Sequence, residues 1–348
     1  MAIVERLDEF QRRHSKASFP LAVLYKYVDD GGGYLAALIA YYAFVSLFPL
    51  LLLLSTILGL VLAGDPDLQQ QVLDSALSQF PVVGDQLGQP KQISGGAIGV
   101  TVGVLGSLYG GLGVGQAVQN AMNTTWAVPR NSRPDPFTSR GRSLLLLVTA
   151  GFAVLATTVL STLGSSGAGS LGAVVKILLL VAALVVNVAV FVFMFRVATA
   201  RPLSVREVAP GAVGAAVLWQ LLQTFGVVYV GHVIEGASAT NGVFALVLGL
   251  LAFLYATANA IVICAEINAV RIDKLYPRSL LTPFTDNVEL TRGDRRSYTD
   301  LAKAQRSKGF QEVEVSFHPH GDQEKEADAP EAADRQPRDN DHQSPSAN

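Results

Sequence analysis

The chain has 348 residues, of which 50% are apolar in type and only 16% carry a charge. The charges are unevenly placed, since residues 34–270 hold only 17 of them among 237 positions and the other 111 positions hold 37. A soluble domain has too little polar surface to cover apolar stretches of this length, so the distribution excludes a soluble protein and predicts a polytopic membrane protein. The one cysteine, Cys264, excludes an intramolecular disulfide framework and any cysteine-based zinc site.

Residues 1–33 precede the first apolar run and form an amphipathic segment. Ile3, Leu7 and Phe10 recur at spacings of four and three, and a similar pattern follows from Phe19. This spacing predicts one or two short helices at the cytoplasmic membrane interface. A helix that packs as a soluble element on the bundle fits the same pattern, and both interpretations stay open.

A membrane domain is predicted over residues 34–275, because six apolar segments follow one another there. A helix needs about 20 apolar residues to cross the hydrocarbon core, and the segments reach that length without the alternation of strands. The predicted class is therefore all-α with six transmembrane helices, in which Pro49 kinks the first. A short amphipathic helix over 66–80 is expected in the outer connector. The six segments are Tyr34–Ala63, Ala97–Trp126, Ser143–Leu163, Leu171–Phe195, Val208–Val230 and Gly242–Val270.

The basic residues orient these spans. Of the 26 lysines and arginines, 24 lie in the two terminal segments and in the connectors after spans two and four. The opposite side holds only Lys91, with Lys176 just inside span four. The positive-inside rule therefore places both termini in the cytoplasm. Residues 276–348 have lost the apolar content that a core requires, so we expect a cytoplasmic tail that is largely disordered.

Polar side chains inside the spans are the candidate site, because each costs free energy unless it is paired or hydrated. Their spacing groups them by helical face: three amides of span two lie four and three residues apart, and two polar residues of span six lie two turns apart. We expect Glu266 to pair with a base, such as Arg196 or the connector arginines, or to form hydrogen bonds with helix ends. These residues either line a substrate path or lock the helices together, and both alternatives stay open. The set is Gln116, Asn120, Asn123, Gln220, Gln223, Asn259 and Glu266.

Four segments, in the same order, resemble the YihY/BrkB family of bacterial inner-membrane proteins, formerly labelled the ribonuclease BN family. They are Ala36–Leu54 (AALIAYYAFVSLFPLLLLL), Ala117–Trp126 (AVQNAMNTTW), Arg201–Gln223 (RPLSVREVAPGAVGAAVLWQLLQ) and Gly242–Val270, which ends in CAEINAV. The resemblance implies a six-helix, multi-pass protein of the inner membrane. Members of that family have been described as a tRNA-processing ribonuclease or a serum-resistance virulence factor, and some are proposed to move lipids or envelope material.

The sequence argues against an enzyme. Hydrolysis of RNA needs clustered carboxylates or histidines that hold metals, or an acid and a base near one phosphate, and the five histidines form no such cluster. A Gly-rich phosphate loop is also missing, so we expect no cofactor, no metal and no nucleic-acid partner. Two functions remain: a transporter or lipid translocase with a small polar or lipid substrate, and a non-transporting envelope scaffold. Membrane lipids are partners in either case, and the pattern leaves the oligomeric state open.

Overall fold

The computed structural model describes residues 2–61, 96–165, 172–235, 239–285 and 288–317. Within these ranges the secondary structure is helical and contains no strand, which confirms the predicted all-α class for them. A short 3-10 turn at Arg130–Ser132 lies between the fourth and fifth helices. The helices are α1 (Ala2–Arg13), α2 (Ser15–Asp29), α3 (Gly32–Val61), α4 (Gly96–Thr125), α5 (Pro136–Ser165), α6 (Gly172–Ala198), α7 (Val205–Glu235), α8 (Ala239–Asp273) and α9 (Arg292–Ala304).

The six helices α3 to α8 are long and mostly apolar. Each has between 27 and 35 residues, or about 40 to 50 Å at a rise of 1.5 Å per residue. Among the described residues, three stretches are long and apolar enough to cross a membrane: Ile177–Ala198, Val205–Gly226 and Val247–Asp273. A shorter apolar stretch lies in α3 at Gly32–Leu47. The protein is therefore a helical protein of the membrane type.

Helices α3 and α4 form the closest pair of the bundle, and glycines make that approach possible. A Cβ atom placed on Gly110 would lie 2.6 Å from the Cα atom of Ser46, and one on Gly113 would overlap the ring of Tyr42. Small residues let two helical backbones come together in this way. Helix α4 also packs on α5, while α8 packs on α2, α3 and α7.

Two expectations, about Pro49 and about residues 66–80, lie partly or wholly beyond what the structure describes. Helix α3 continues without interruption through Pro49, whose side chain lies outside the described residues, so the predicted kink stays a prediction. The amphipathic helix expected over 66–80 falls in a range that is not described.

One end of the bundle gathers the two connectors rich in arginine and the segments near both termini; we call it the basic end. Here α4 and α6 end and α5 and α7 begin, and the chain after α8 returns to the N-terminal helices. The backbone N–H of Asn131 donates to Arg306 O at 3.0 Å, and Arg12 donates to Glu289 O at 3.1 Å. Ala22 and Val23 of α2 are buried against Val270 at the end of α8.

The tail predicted to be largely disordered from residue 276 is folded over residues 276–285 and 288–304. Arg278 is completely buried and forms ion pairs with Asp29 at 2.7 Å and Asp294 at 2.6 Å. Thr291 and Asp294 form a capping box that starts α9. The loss of apolar residues hid this fold, since charged and backbone groups stabilise it rather than a hydrophobic face. Residues 318–348 lie outside the described part of the chain.

Candidate functional site at the basic end

The central feature of the basic end is a buried group of charged side chains, which we call the ion cluster: Lys26, Asp30 and Glu266. Lys26 and Asp30 lie one helical turn apart at the end of α2 and form an ion pair. The Nζ atom of Lys26 also lies 3.7 Å from Oε2 of Glu266 on α8. The three side chains are between 0% and 5% exposed, so this charge is held away from water.

A third helix reaches the ion cluster through Thr125 at the end of α4. Its hydroxyl donates a hydrogen bond of 3.0 Å to Oε1 of Glu266. The other carboxylate oxygen, Oε2, is buried without a hydrogen-bond partner among the described residues. One ammonium therefore faces two carboxylates, and the cluster has a net charge of −1 when all three groups are ionised.

The balance of charge keeps the cation of the cluster in place. Burial lowers the pKa of Lys26, but the carboxylates of Glu266 and Asp30 outweigh it, so the pKa is raised overall. Burial raises the pKa of Asp30, and the positive charge of Lys26 offsets this rise only in part. Lys26 is therefore a stable ammonium, while its carboxylate partner Asp30 is easier to protonate than an exposed aspartate.

A second contact between α2 and α8 lies two helical turns along α8 from Glu266. The hydroxyl of Tyr27 donates to Oδ1 of Asn259, and Nδ2 of Asn259 donates to Tyr255 O at 2.8 Å. Asn259 and Glu266 thus occupy one face of α8, toward α2. Glu266 does pair with a base, but that base is Lys26 and not Arg196, which donates from Nε to Leu203 O at 2.8 Å.

Two asparagines bind the ends of neighbouring helices through the backbone. Oδ1 of Asn123 accepts a hydrogen bond of 2.7 Å from Ala200 N–H, in the connector after α6. Asn268 on α8 accepts from Gly211 N–H at 2.8 Å and donates to Val208 O at 3.1 Å. A Cβ atom on Gly211 would lie 2.1 Å from Cys264 O, so only glycine permits this approach.

The remaining candidate residues lie apart from the ion cluster. Asn120 is half-buried and accepts a hydrogen bond of 2.9 Å from Arg133, while Gln116 is exposed. Gln220 and Gln223 are half-buried on α7. Gln220 is nine residues beyond Gly211, or about 14 Å along the helix. The structure therefore brings Asn259 and Glu266 to one contact face and leaves the others elsewhere.

Reasoning from the sequence missed the buried amide Gln119. Its Nε2 donates to Ser143 Oγ at 2.9 Å and to Ser139 O at 2.9 Å, which joins α4 to α5. The sequence did contain a signal for Gln119. Gly111, Gly115 and Gln119 follow one another at a spacing of four, which places them on one face of α4. The two glycines face Leu147 and Ser143 on α5, so the next residue in that row reaches the same helix.

Two cavities open at the basic end. One of about 410 Å³ lies beside Trp126, over whose ring the guanidinium of Arg201 stands at 5.1 Å. Arg201 also forms a bidentate pair with Asp273, at 3.1 and 3.2 Å. The other cavity, of about 710 Å³, lies between the start of α5 and the end of α6. Across the described ranges, no three His, Cys, Asp or Glu side chains are grouped as metal ligands would be.

A family model described as "Virulence factor BrkB" matches residues 23–283, three quarters of the chain. The chain belongs to the BrkB virulence-factor family. The match includes the ion cluster, both asparagine contacts and Arg278, whereas α1 and α9 lie outside it. Comparison of this BrkB-family chain with curated proteins and with solved structures gives no significant match.

Proposed function

We propose that this BrkB-family protein is a multi-pass protein of the bacterial inner membrane, with α3 to α8 as six spanning helices and both termini in the cytoplasm. The length of the six helices supports this arrangement, because each exceeds the 20 or so residues that a span requires. The concentration of arginine at the basic end supports the orientation. Residues near both ends of the helical bundle contact each other at that end, Arg12 with Glu289 and Asp29 with Arg278, which agrees with an even number of spans.

We further propose that the protein is a transporter or translocase for a small polar or lipid substrate, and that the ion cluster is its cytoplasmic gate. The observation that carries this proposal is the burial of Lys26, Asp30 and Glu266 with one cation for two carboxylates. A buried ion pair seldom stabilises a fold more than apolar residues of the same size. Ionisable groups at such a position are functional candidates for that reason.

The position of the cluster suits a gate. It joins α2 to α8 through Lys26 and α4 to α8 through Thr125, so separating Lys26 from Glu266 removes the charged contact between α2 and the other two helices. The Oε2 atom of Glu266 faces Lys26 at 3.7 Å and makes no hydrogen bond among the described residues, so it can take up a proton or accept a hydrogen bond from a water molecule or a substrate. When the gate opens, Glu266 would therefore lose Lys26 as its partner and gain a proton, a water molecule or a substrate in its place.

Accessibility of Thr125 tests the gate. We replace Cys264 by Ala, introduce Thr125→Cys, and treat inside-out membrane vesicles with a membrane-impermeant maleimide. Thr125 is 1% exposed, so the closed state protects it. A gate that opens exposes this thiol, and we expect steady labelling that Glu266→Gln changes at least threefold. The matched control is Ala215→Cys on α7, which is 2% exposed and lies in the apolar core.

A second function has a specific observation in its favour: Asn123 and Asn268 use their amides to bind backbone groups of other helices. Such contacts lock the bundle and suit an envelope scaffold that transports nothing. In a scaffold the ion cluster would not open, so a cysteine at position 125 would stay protected from the maleimide. Labelling of Thr125→Cys as slow as that of Ala215→Cys, with and without Glu266→Gln, would support the scaffold and refute the gate.

We also propose that the protein is not an enzyme, and that neither nucleic acid nor a cofactor is its partner. Glu266 is a buried carboxylate already engaged by Thr125 and Lys26, and it lines neither of the two cavities. An acid or base has to reach its substrate within hydrogen-bond distance. Incubation of the purified protein with labelled tRNA, with and without Mg²⁺, tests this statement, and specific cleavage that Glu266→Gln abolishes would overturn it.

A further inference from the structure

The cavity of about 710 Å³ between α5 and α6 combines a basic wall with an apolar one. It lies within the range of about 300–1,000 Å³ that is common for ligand sites. None of the described residues in its lining is acidic. The lining residues are Arg142, Phe193, Arg196, Val197, Thr199, Ala200, Arg201, Pro202, Leu203 and Ser204.

Two of its three arginines have no acidic partner. Arg201 is neutralised by Asp273, at 3.1 and 3.2 Å. Among the described residues, Arg142 and Arg196 form no ion pair, and Arg196 uses Nε to bind Leu203 O at 2.8 Å. The Nη1 atom of Arg142 is buried without a hydrogen-bond partner in the described part of the chain. A buried guanidinium donor without an acceptor is costly, so the cavity is prepared for an anion.

The apolar wall indicates that this anion belongs to an amphiphile. Phe193 on α6 lines the cavity and is 39% exposed. Large apolar side chains continue along the exposed surface of the same helix, within a stretch apolar enough to span a membrane. That surface suits acyl chains, whereas the arginines suit a phosphate. The exposed residues within that stretch are Ile177, Leu178, Leu180, Val181 and Val185.

We propose that this cavity binds the phosphate headgroup of an anionic phospholipid, with Arg142 and Arg196 as the groups that contact the phosphate. Arginine pairs with phosphate through several parallel N–H···O bonds, and basic pockets between membrane helices are suited to anionic headgroups. Ser204 adds a hydroxyl group to the lining, whereas the hydroxyl of Thr199 already donates to Phe195 O at 2.7 Å. The proposal does not depend on transport, since an envelope scaffold can hold a lipid at the same place.

Native mass spectrometry of the full chain in a neutral detergent tests the proposal. The probes are dioleoyl-phosphatidylglycerol, dioleoyl-phosphatidylcholine and inorganic phosphate. We expect phosphatidylglycerol to bind at least tenfold more tightly than phosphatidylcholine. Arg142→Gln is expected to weaken phosphatidylglycerol binding at least fivefold. The matched control is Arg140→Gln, an exposed arginine two residues earlier on α5 that does not line the cavity.

The outcomes separate the sources of the phosphate. Equal binding of the two lipids by the unaltered protein overturns the proposal. This test needs no variant, so the proposal can still be refuted if Arg142→Gln does not fold. Inorganic phosphate that binds as tightly as phosphatidylglycerol shows a site for a soluble anion and also overturns it. Equal losses in Arg142→Gln and Arg140→Gln indicate surface charge rather than this cavity, and the assignment then fails.

Discussion

Lys26 and Glu266 come from opposite ends of the family match and meet with 3.7 Å between Nζ and Oε2. Their contact brings the N-terminal helix α2 against the last long helix α8, at a depth where neither side chain is more than 5% exposed. The free energy of this contact depends on both partners, because removal of one leaves a buried charge without its counter-ion.

Replacement of Lys26 by Met therefore has a large expected effect. The two carboxylates of the ion cluster would lose their only cation, and we expect the free energy of unfolding to fall by about 3–5 kcal/mol. Thermal unfolding of the protein in detergent, followed by circular dichroism, measures the change. The double variant Lys26→Met/Glu266→Gln should recover part of the loss. The control Lys303→Met removes an exposed lysine on α9 and should change little.

Asn268→Ala tests the backbone contact with α7. The variant leaves Gly211 N–H and Val208 O without their partner in a buried place, and we expect a loss of about 1–3 kcal/mol. Asn131→Ala is the matched control, because Asn131 is exposed at the basic end. Equal melting temperatures for both variants would show that α7 does not need this contact.

Gly110→Ala tests the close approach of α3 and α4. The added methyl group would lie 2.5 Å from Ser46 Cβ, so the helices have to separate, and we expect a clear fall in melting temperature. Gly151→Ala on α5 meets nothing within 4 Å. It should be neutral or stabilise the protein by up to about 1 kcal/mol, because alanine favours the helix. A stable Gly110→Ala protein would contradict the packing described for this helix pair.

Truncation measures how much of the C-terminal segment belongs to the fold. A chain that ends at Leu290 lacks Asp294 and leaves Arg278 buried with one ion pair fewer, so we expect a lower melting temperature. A chain that ends at Phe317 keeps every contact described here and should match the full chain. Equal stability of the two shortened chains would show that α9 contributes nothing to the membrane domain.

Reporter fusions test the proposed topology. Fusions after Asp85, Ser166 and Gly236 should report the external side, because each lies in a connector with few basic residues. Fusions after Ser132, Ser204 and Lys308 should report the cytoplasm. A reversal at any one of these six points, shown by a phosphatase that is active on the wrong side, would refute six spans.

Helix positions and shared faces were accessible from the sequence, whereas partners between distant helices were not. The spacing of seven places Asn259 and Glu266 on one face because helical geometry is local. Lys26 lies in a segment that was expected at the membrane interface. Its contact with Glu266 depends on how α2 packs on α8, and residue spacing within one segment does not predict that packing. In α4 the spacing of the three amides favoured Gln116 over Gln119. The glycines Gly111 and Gly115, which share a helical face with Gln119, were not considered.

The contacts around Arg278 have a further consequence, which follows from the order in which the chain is synthesised. Asp8 and Asp29 leave the ribosome early, whereas the groups that bind them, Leu280 N–H and the Arg278 guanidinium, follow only after α3 to α8. These contacts of α1 and α2 therefore form only once the six long helices have been synthesised. A protein broken off before residue 278 keeps the contact of Lys26 with Glu266 but leaves Asp8 and Asp29 without these partners, and the loosened α1 is a feature that a quality-control protease can recognise.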